Sequence, residues 1–501
     1  MEDSQSENFF NAGLIAIVSL VLGLFFDYFF YGKVPGISFL FYVILILAGL
    51  FSLAHIFKKQ VNNEIFLLIA PLIFFSAMVS ARSSMLLTFL NIVASLLILL
   101  VIAEVVFGKK VKNFLLGDCI KVIFLPIMFI LPFLKTLSDL FALRGVNKDQ
   151  KVLSPIIRGI IITAPVLFVL LWLFSSADLF FRKYVADLIK IEPETIFRSA
   201  LVLIATLAYI GAYSYIFRKI ENQITAQPSN KTYSLGHIEN SILLGSVNIL
   251  FFIFVLVQFT YFFGGENNVS SQGFTYAEYA RRGFFELIAV AIISLLVLLT
   301  TEKFAAKKEA EHSPGFKILA TALVMQVILI MFSAFLRLSL YEEAYGFTTL
   351  RLYSHAFIIL LAVNFLLLLF KIFFDKRENA FALRVFISLV LFLAVMNFLN
   401  PDAFIARRNI DRFGATGKLD VHYLNSLSDD AIPDTVEILN IADDDLRKSF
   451  ARDLYWRAQL INSPLFSRWQ SLNISRIRAE KILYSKIGEI EQYKDYQGQD
   501  L

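Results

Sequence analysis

The sequence predicts an all-α, polytopic transmembrane helical bundle of about eleven spans, followed by a small helical extramembrane domain at the C-terminus. Three observations carry that expectation. Of the 501 residues, 57% are hydrophobic and only 17% charged, whereas soluble domains carry about a quarter charged residues. The apolar residues, 53 Phe among them, gather in blocks of roughly 20, the length an α-helix needs to cross a hydrocarbon core about 30 Å thick. Within those blocks apolar and polar residues do not alternate as barrel strands require, and only helices and closed barrels satisfy their backbone in lipid.

In chain order the blocks lie at roughly 11–31, 37–57, 64–81, 84–107, 155–176, 198–217, 240–263, 283–301, 316–338, 353–373 and 380–399. They divide the chain into an N-terminal four-span segment (1–108), a basic cytoplasmic or interfacial connector (109–154), a seven-span core (155–400) and a tail (401–501). In the connector, "VIFLPIMFILPFL" lies between Lys121 and Lys135 and is interrupted by Pro126 and Pro132. It is too short to cross and reads as an interfacial or re-entrant piece. With the N-terminus inside, the inner connections hold 22 Lys and Arg, the outer ones ten and the tail 14. That excess favours a cytoplasmic N-terminus, and an odd span count then puts the tail outside. "MEDSQSENFF" lacks a basic n-region, so no cleavable signal peptide is expected.

The composition changes at Pro401. The tail holds 14 basic and 16 acidic residues and no run that could span. "DDDLRKSFARDLYWRAQL" reads as a helix with Asp443 to Asp445 at its positive end, and Asp434 as the start of a shorter one. "NSPLFSRWQSLNISRIRAEKILYSKI" is expected to open a helix with Asn462 or Ser463 as cap and Pro464 in the first turn.

Catalytic chemistry finds little support. The single Cys119 excludes an intramolecular disulfide framework. There is no phosphate-binding loop, no G-x-S-x-G and no H-E-x-x-H, so no catalytic residue, cofactor or metal ligand set is expected. A net charge of +5 argues against a nucleic-acid partner. The expected partners are the lipid bilayer and an envelope protein or lipid.

Charge enters the apolar runs at a few places. In "GFTYAEYARRGFFELIAV", Glu278, Arg282 and Glu286 recur at helical spacing, with Arg281 beside Glu278. They read either as an ion-pair lock or as a headgroup or ion site at the outer mouth. In "LRLSLYEEAYGFTTLRLYSHAF", Arg337 and Arg351 bracket a short turn bearing Tyr341, Glu342, Glu343 and Tyr345. Gly346 permits the turn, Thr348 or Thr349 is placed to cap the next helix, and His355 shares a face with Arg351. Asp27 has Lys33 nearby, Asp178 has Arg182, and Glu104 is within reach of Arg158. At the membrane exit, Asn400-Pro401 ends the last span, and Asp402, Arg407, Arg408, Asp411 and Arg412 follow at the interface.

Three of these stretches, "TYAEYARRGFFEL", "LYEEAYGFTTLRLY" and "NPDAFIARRNIDR" with the following "LDVHYLNSLSDDAIP", together resemble a bacterial membrane family, domain of unknown function 4173, of which 4153 is a relative. The resemblance covers roughly residues 155–440. It implies a bacterial plasma-membrane location and brings no activity, ligand or catalytic residue. Two functions are therefore expected in competition. The first is a non-enzymatic membrane protein whose outer polar surface, formed by 264–282, 339–352 and 400–433, binds a partner or envelope component. The second is a transporter or lipid-handling protein using Arg282, Glu286, Arg337 and His355 in an inter-helix pathway.

Overall fold

A computed structural model describes residues 2–107, 110–140, 193–222, 237–263, 284–304, 314–441 and 443–496. Among the described residues the chain is helical and contains no strand. The long helices are α1 (Glu2–Phe30), α2 (Ile37–Ile56), α3 (Ile65–Ala81) and α4 (Met85–Val105). After them come the short α5 (Leu116–Ile123), α6 (Leu125–Met128) and α7 (Ile130–Leu140). The series continues with α8 (Pro193–Asn222), α9 (His237–Phe263), α10 (Phe284–Phe304), α11 (Pro314–Tyr345), α12 (Thr349–Phe373) and α13 (Glu378–Leu399). The tail holds α14 (Pro401–Thr416), α15 (Val421–Ser426), α16 (Ile432–Thr435), α17 (Asp444–Ile461), α18 (Ile474–Ser485) and α19 (Ile487–Ile490).

Seven of these helices are long and apolar enough to cross a membrane: the Phe9–Phe30 part of α1, α2, α4, the Phe197–Arg218 part of α8, α11, α12 and α13. Shorter apolar helices occupy Ile65–Ala81, Asn240–Leu256 and Leu287–Glu302. The expected span at 155–176 lies outside the described residues. Residues 116–137 form a helix pair bent by 66° at Phe124, where Pro126 in the first turn of the following helix cannot continue the preceding one. Large apolar side chains face outward as well as inward, Leu67, Ile249 and Phe398 among them. A helix apolar all round belongs in lipid.

The chain divides into two compact units. The first comprises residues 1–111, 117–226 and 457–480. Here α1 lies along α8, α2 along α3, and α3 along α4. Close backbone approach explains the small residues: a Cβ on Gly23 would meet the Val202 carbonyl at 2.7 Å, and one on Gly49 the Tyr213 hydroxyl at 2.7 Å. Small residues at such crossings are the usual means of helix association in lipid. Polar side chains join the helices at the same places. Tyr213 donates to the Ile46 carbonyl at 2.8 Å, Thr136 to the Ser214 hydroxyl at 2.7 Å, and Arg218 pairs with Asp139 at 2.5 Å. Asp27 takes Arg198 of α8, at 2.5 Å, and not the nearby Lys33. The Lys33 ammonium donates instead to the Tyr28 carbonyl. The planar guanidinium meets both carboxylate oxygens of Asp27, which a single ammonium does less well. Glu104 accepts from the Tyr215 hydroxyl at 2.5 Å; Arg158 lies outside the described residues, as do Asp178 and Arg182.

The tail segment of this unit closes helix ends. Leu472 offers its carbonyl to the Ile37 N–H at 3.0 Å, capping α2. Asn473 donates to the carbonyls of Val79 (3.2 Å) and Arg82 (2.8 Å), and Ser475 to that of Ala81 (2.9 Å), capping α3. Helix ends leave such groups without intrahelical partners. Gly36 is what admits the segment, since a Cβ there would sit 2.5 Å from the Leu472 carbonyl oxygen. The helix expected to open at Asn462 or Ser463 does not. Residues 462–468 form turns after α17 ends at Ile461, and α18 begins at Ile474, where the Asn473 side chain accepts from the Arg476 N–H at 3.1 Å. Asp443 does cap α17, accepting from the Leu446 N–H at 3.1 Å.

The second unit comprises residues 112–116, 227–456 and 481–501. Helix α11 is its axis, with α9, α10 and α12 against it and α13 against α12. Its core holds Ala320, Leu323, Val324 and Val327 of α11 with Phe365 and Leu368 of α12, all fully buried. Near one end of the bundle Lys371, 3% exposed, pairs with Glu302 of α10 at 2.6 Å. Near the other end lies the polar assembly described next.

Candidate functional site

The assembly begins with the turn from α11 to α12. Gly346 has φ +85°, a backbone region that L side chains rarely adopt. It lets the chain reverse over three residues. Asn409 of α14 grips that reversal from both sides: its amide nitrogen donates to the Phe347 carbonyl at 2.9 Å, and its amide oxygen accepts from the Phe347 N–H at 2.8 Å. Arg412, one turn on, donates to the carbonyls of Glu343 (2.9 Å) and Ala344 (2.6 Å) at the end of α11. Arg351 donates to the Gly346 carbonyl and lies over the Tyr341 ring at 4.1 Å. Thr348 is the N-cap of α12 but its side chain makes no capping bond. The Thr349 N–H donates to the Tyr423 hydroxyl at 2.6 Å instead, so the expected local cap is replaced by a partner 74 residues away.

Helix α14 is placed by Asn400, in the left-handed region at φ +52°. Asn tolerates this better than most residues, and it turns the chain so that Pro401 starts a new helix at once. The buried Asp402 accepts from the Ser428 N–H at 3.1 Å, and the Ser428 hydroxyl donates to Asp430 at 3.2 Å. Arg407 pairs with Asp434 at 3.0 Å. Arg408, over the Phe404 ring at 5.3 Å, is exposed, as are Asp411 and Glu343.

Beneath the turn lies a buried acid–base pair. His355 Nδ1 is 3.3 Å from a Glu342 carboxylate oxygen, and both side chains are almost covered. His355 Nε2 is 3.1 Å from the Phe335 carbonyl and 3.4 Å from the Ser339 hydroxyl. The Glu342 carboxylate and the Phe335 carbonyl are acceptors, whereas the Ser339 hydroxyl can donate or accept, so both ring nitrogens have a hydrogen-bonding partner. Arg337, also buried, lies on α11 between Phe335 and Ser339.

The structure thus brings together two of the three expected segments, 339–352 and 400–433. Of the third, Glu278, Arg281 and Arg282 lie outside the described residues. Glu286 stands in the first turn of α10, its side chain outside them too. Asn409, Tyr423, Ser428 and Asp430 complete the assembly and have no marked sequence signal, and Asp434, expected to start a short helix, lies inside the one at Ile432–Thr435; an Asn in a polar helix is unremarkable until its backbone partner is known. Among the described residues no group of three or more His, Cys, Asp or Glu is placed to hold a metal ion.

The model of a family described as a domain of unknown function, DUF4153, matches residues 69–438, more than half of the chain. This chain belongs to the DUF4153 family. The match begins before the 155 expected from the resemblance, inside α3, and ends just beyond α16. It therefore takes in the whole of the α11–α12–α14 assembly. No curated protein and no solved structure matches the chain.

Proposed function

We propose that this DUF4153 protein is a non-enzymatic integral protein of the bacterial plasma membrane whose polar assembly at 339–352 and 400–434 binds a partner protein or envelope component. The reading also keeps the kinship to the related family 4173. One observation carries it. In the second unit the ionisable side chains gather near the helix ends, and 318–336 of α11, 356–370 of α12 and 287–301 of α10 contain no Asp, Glu, Lys or Arg. A transport pathway needs charge or strong polarity at mid-depth, between helices. The assembly instead spends its charged groups on holding backbone turns and leaves Glu343, Arg408 and Asp411 facing out.

The orientation follows the same reasoning. Tail residues 469–475 lie at the end of α1 away from the N-terminus, where Trp469 meets Phe29. With the basic excess on the inner connections, this supports a cytoplasmic N-terminus and an extracytoplasmic tail. A periplasm-active reporter fused after Leu501 is expected to be active, and an inactive one would reverse the orientation. The partner reading is tested with a photo-crosslinking residue at Arg408 or Asp411 in native membranes. A discrete adduct at both positions is expected, with none from Lys376 at the opposite end of the bundle; no adduct at either overturns it. The buried His355–Glu342 pair favours a second reading, a proton-coupled transporter. Proton flux in proteoliposomes that is lost in both Glu342→Gln and His355→Gln would establish that reading in place of the first.

A further inference from the structure

We propose that Lys33 and Arg468, brought together where the tail meets the end of α1, form a binding site for the phosphate headgroup of an anionic phospholipid, whose acyl chain lies beside Tyr28, Phe41 and Trp469. The site lies wholly within the first unit and is independent of the partner reading above.

The location sets the depth. Phe41 is one turn into α2 and Tyr28 within the last turn of α1, and the Trp469 ring lies 6.3 Å from each. At 1.5 Å per residue, Trp469 sits about one turn below the helix ends, the level at which Trp and Tyr collect at a membrane–water boundary. Tyr28, Phe41 and Trp469 are each close to half exposed, so they form one continuous apolar face with the lipid-facing sides of α1 and α2. Tail residues 470–473 behind that face are tied to the ends of α2 and α3, which holds Trp469 at this depth.

The charges at the same place do not balance. Asp27 is occupied by Arg198 in a bidentate pair, and Glu194 lies one helical turn from Arg198. Lys33 uses one N–H on the Tyr28 carbonyl and leans over the Tyr28 ring at 4.8 Å, leaving two N–H groups. Arg468 is exposed, and no ion pair joins it or Lys33 to any described residue. Arg468 directly precedes Trp469, whose ring lies 6.3 Å from the Tyr28 ring that Lys33 covers; burial, and then the Arg468 charge, push the Lys33 ammonium below its ordinary value against the pull of Asp27. Two cations held together at the interface are relieved by an anion between them, and the leaflet supplies phosphates at this level. Basic residues close to the surface draw anionic lipid in the same way, and amphipathic side chains keep their stems on apolar surface while their heads meet the phosphate.

The test uses the full-length protein in detergent, titrated with phosphatidylglycerol or phosphatidylcholine, the retained lipid being counted by native mass spectrometry. Phosphatidylglycerol is expected to bind more tightly. The double variant Lys33→Gln/Arg468→Gln is expected to weaken it roughly thirtyfold, about a factor of five for each basic residue near the surface, with phosphatidylcholine unchanged. Neither residue forms an ion pair with any described residue, so the variant's unfolding temperature should stay that of the wild type. Arg468→Glu, a single change at an exposed position, should weaken phosphatidylglycerol in the same sense, and Arg407→Gln should not. Equal affinity for the two lipids, or an unchanged double variant, overturns the proposal. So does full competition by soluble glycerophosphate, which would mark the site as one for free anions.

Discussion

Asn409 is the single side chain on which the α11–α12 reversal most depends, and its removal should be measurable. Asn409→Ala deletes two hydrogen bonds, at 2.8 and 2.9 Å, to the N–H and carbonyl of Phe347. Each net bond contributes about 1 kcal/mol, and stranding a part-buried backbone group costs somewhat more, so the loss should be about 2–3 kcal/mol. Gly346 supplies an independent handle. A Cβ at 346 would lie 2.7 Å from the Asn409 amide oxygen, at a residue with φ +85°. Gly346→Ala therefore carries a backbone penalty of about 1–2 kcal/mol plus a clash that exists only while Asn409 is present. In a double-mutant cycle the two changes should be less than additive, with a coupling of about 1 kcal/mol. Unfolding free energies in mixed detergent micelles, followed by far-ultraviolet circular dichroism, give all four corners. An Asn409→Ala variant within about 0.5 kcal/mol of wild type, or strict additivity, would refute the claim that this amide holds the turn.

Three further outcomes follow. Glu302→Gln strands the Lys371 ammonium, 3% exposed, and should cost about 3–5 kcal/mol in the same assay, with Glu302→Leu/Lys371→Met recovering most of it. Arg198→Gln should lower the unfolding temperature by leaving the nearly covered Asp27 carboxylate unpaired, and adding Asp27→Asn should restore it; no recovery would mean that Arg198 acts by some other contact. Between α12 and α13, hydrogen bonds from Arg377 and then Arg384 hold the Asp375 carboxyl well below the usual carboxylate range. A depressed folded value stabilises the fold above the unfolded pKa near ~3.9 and loses that contribution as pH falls below it. Wild type should therefore lose stability on acidification below about pH 4 more steeply than Asp375→Asn, and parallel acid profiles would show the clamp to be inert.

The helices were readable because each one's signal is local. Length and apolarity alone place α2, α4, α12 and α13 to within a few residues of their observed bounds. Gly346, Asn400-Pro401 and Asp443 were readable as punctuation for the same reason, since a positive φ, a helix break or a cap is a property of one residue and its neighbours. What escaped was every pairing of distant residues. Along the chain the nearest cation to Asp27 is Lys33, whereas helix packing places Arg198 opposite it from 171 residues away. Glu302 with Lys371, and Asn473 with Val79 and Arg82, carry no mark in the sequence until the helices are laid side by side. The Asn462–Pro464 cap failed because Asn473, further along, has both the side chain to start a helix and the carbonyls of α3 to hold it there. Of the assembly, the segments were legible and the grip of Asn409 was not, since its partner is main chain.

The capping of α2 and α3 by residues 472–475 has a consequence for how the chain is made. The carbonyls of Val79, Ala81 and Arg82 and the N–H of Ile37 belong to α2, α3 and its end, yet their partners are about 390–435 residues later in the chain. A ribosome adding about 5–20 residues per second leaves those groups waiting for about 20–90 seconds. Throughout that interval the nascent chain exposes unfinished helix ends, which water or an insertion factor must cover. Arrival of the tail removes them. Closure of these helix ends thus rests on residues 472–475, and a chain that stops short of Asn473 keeps an open end for quality-control proteases to find.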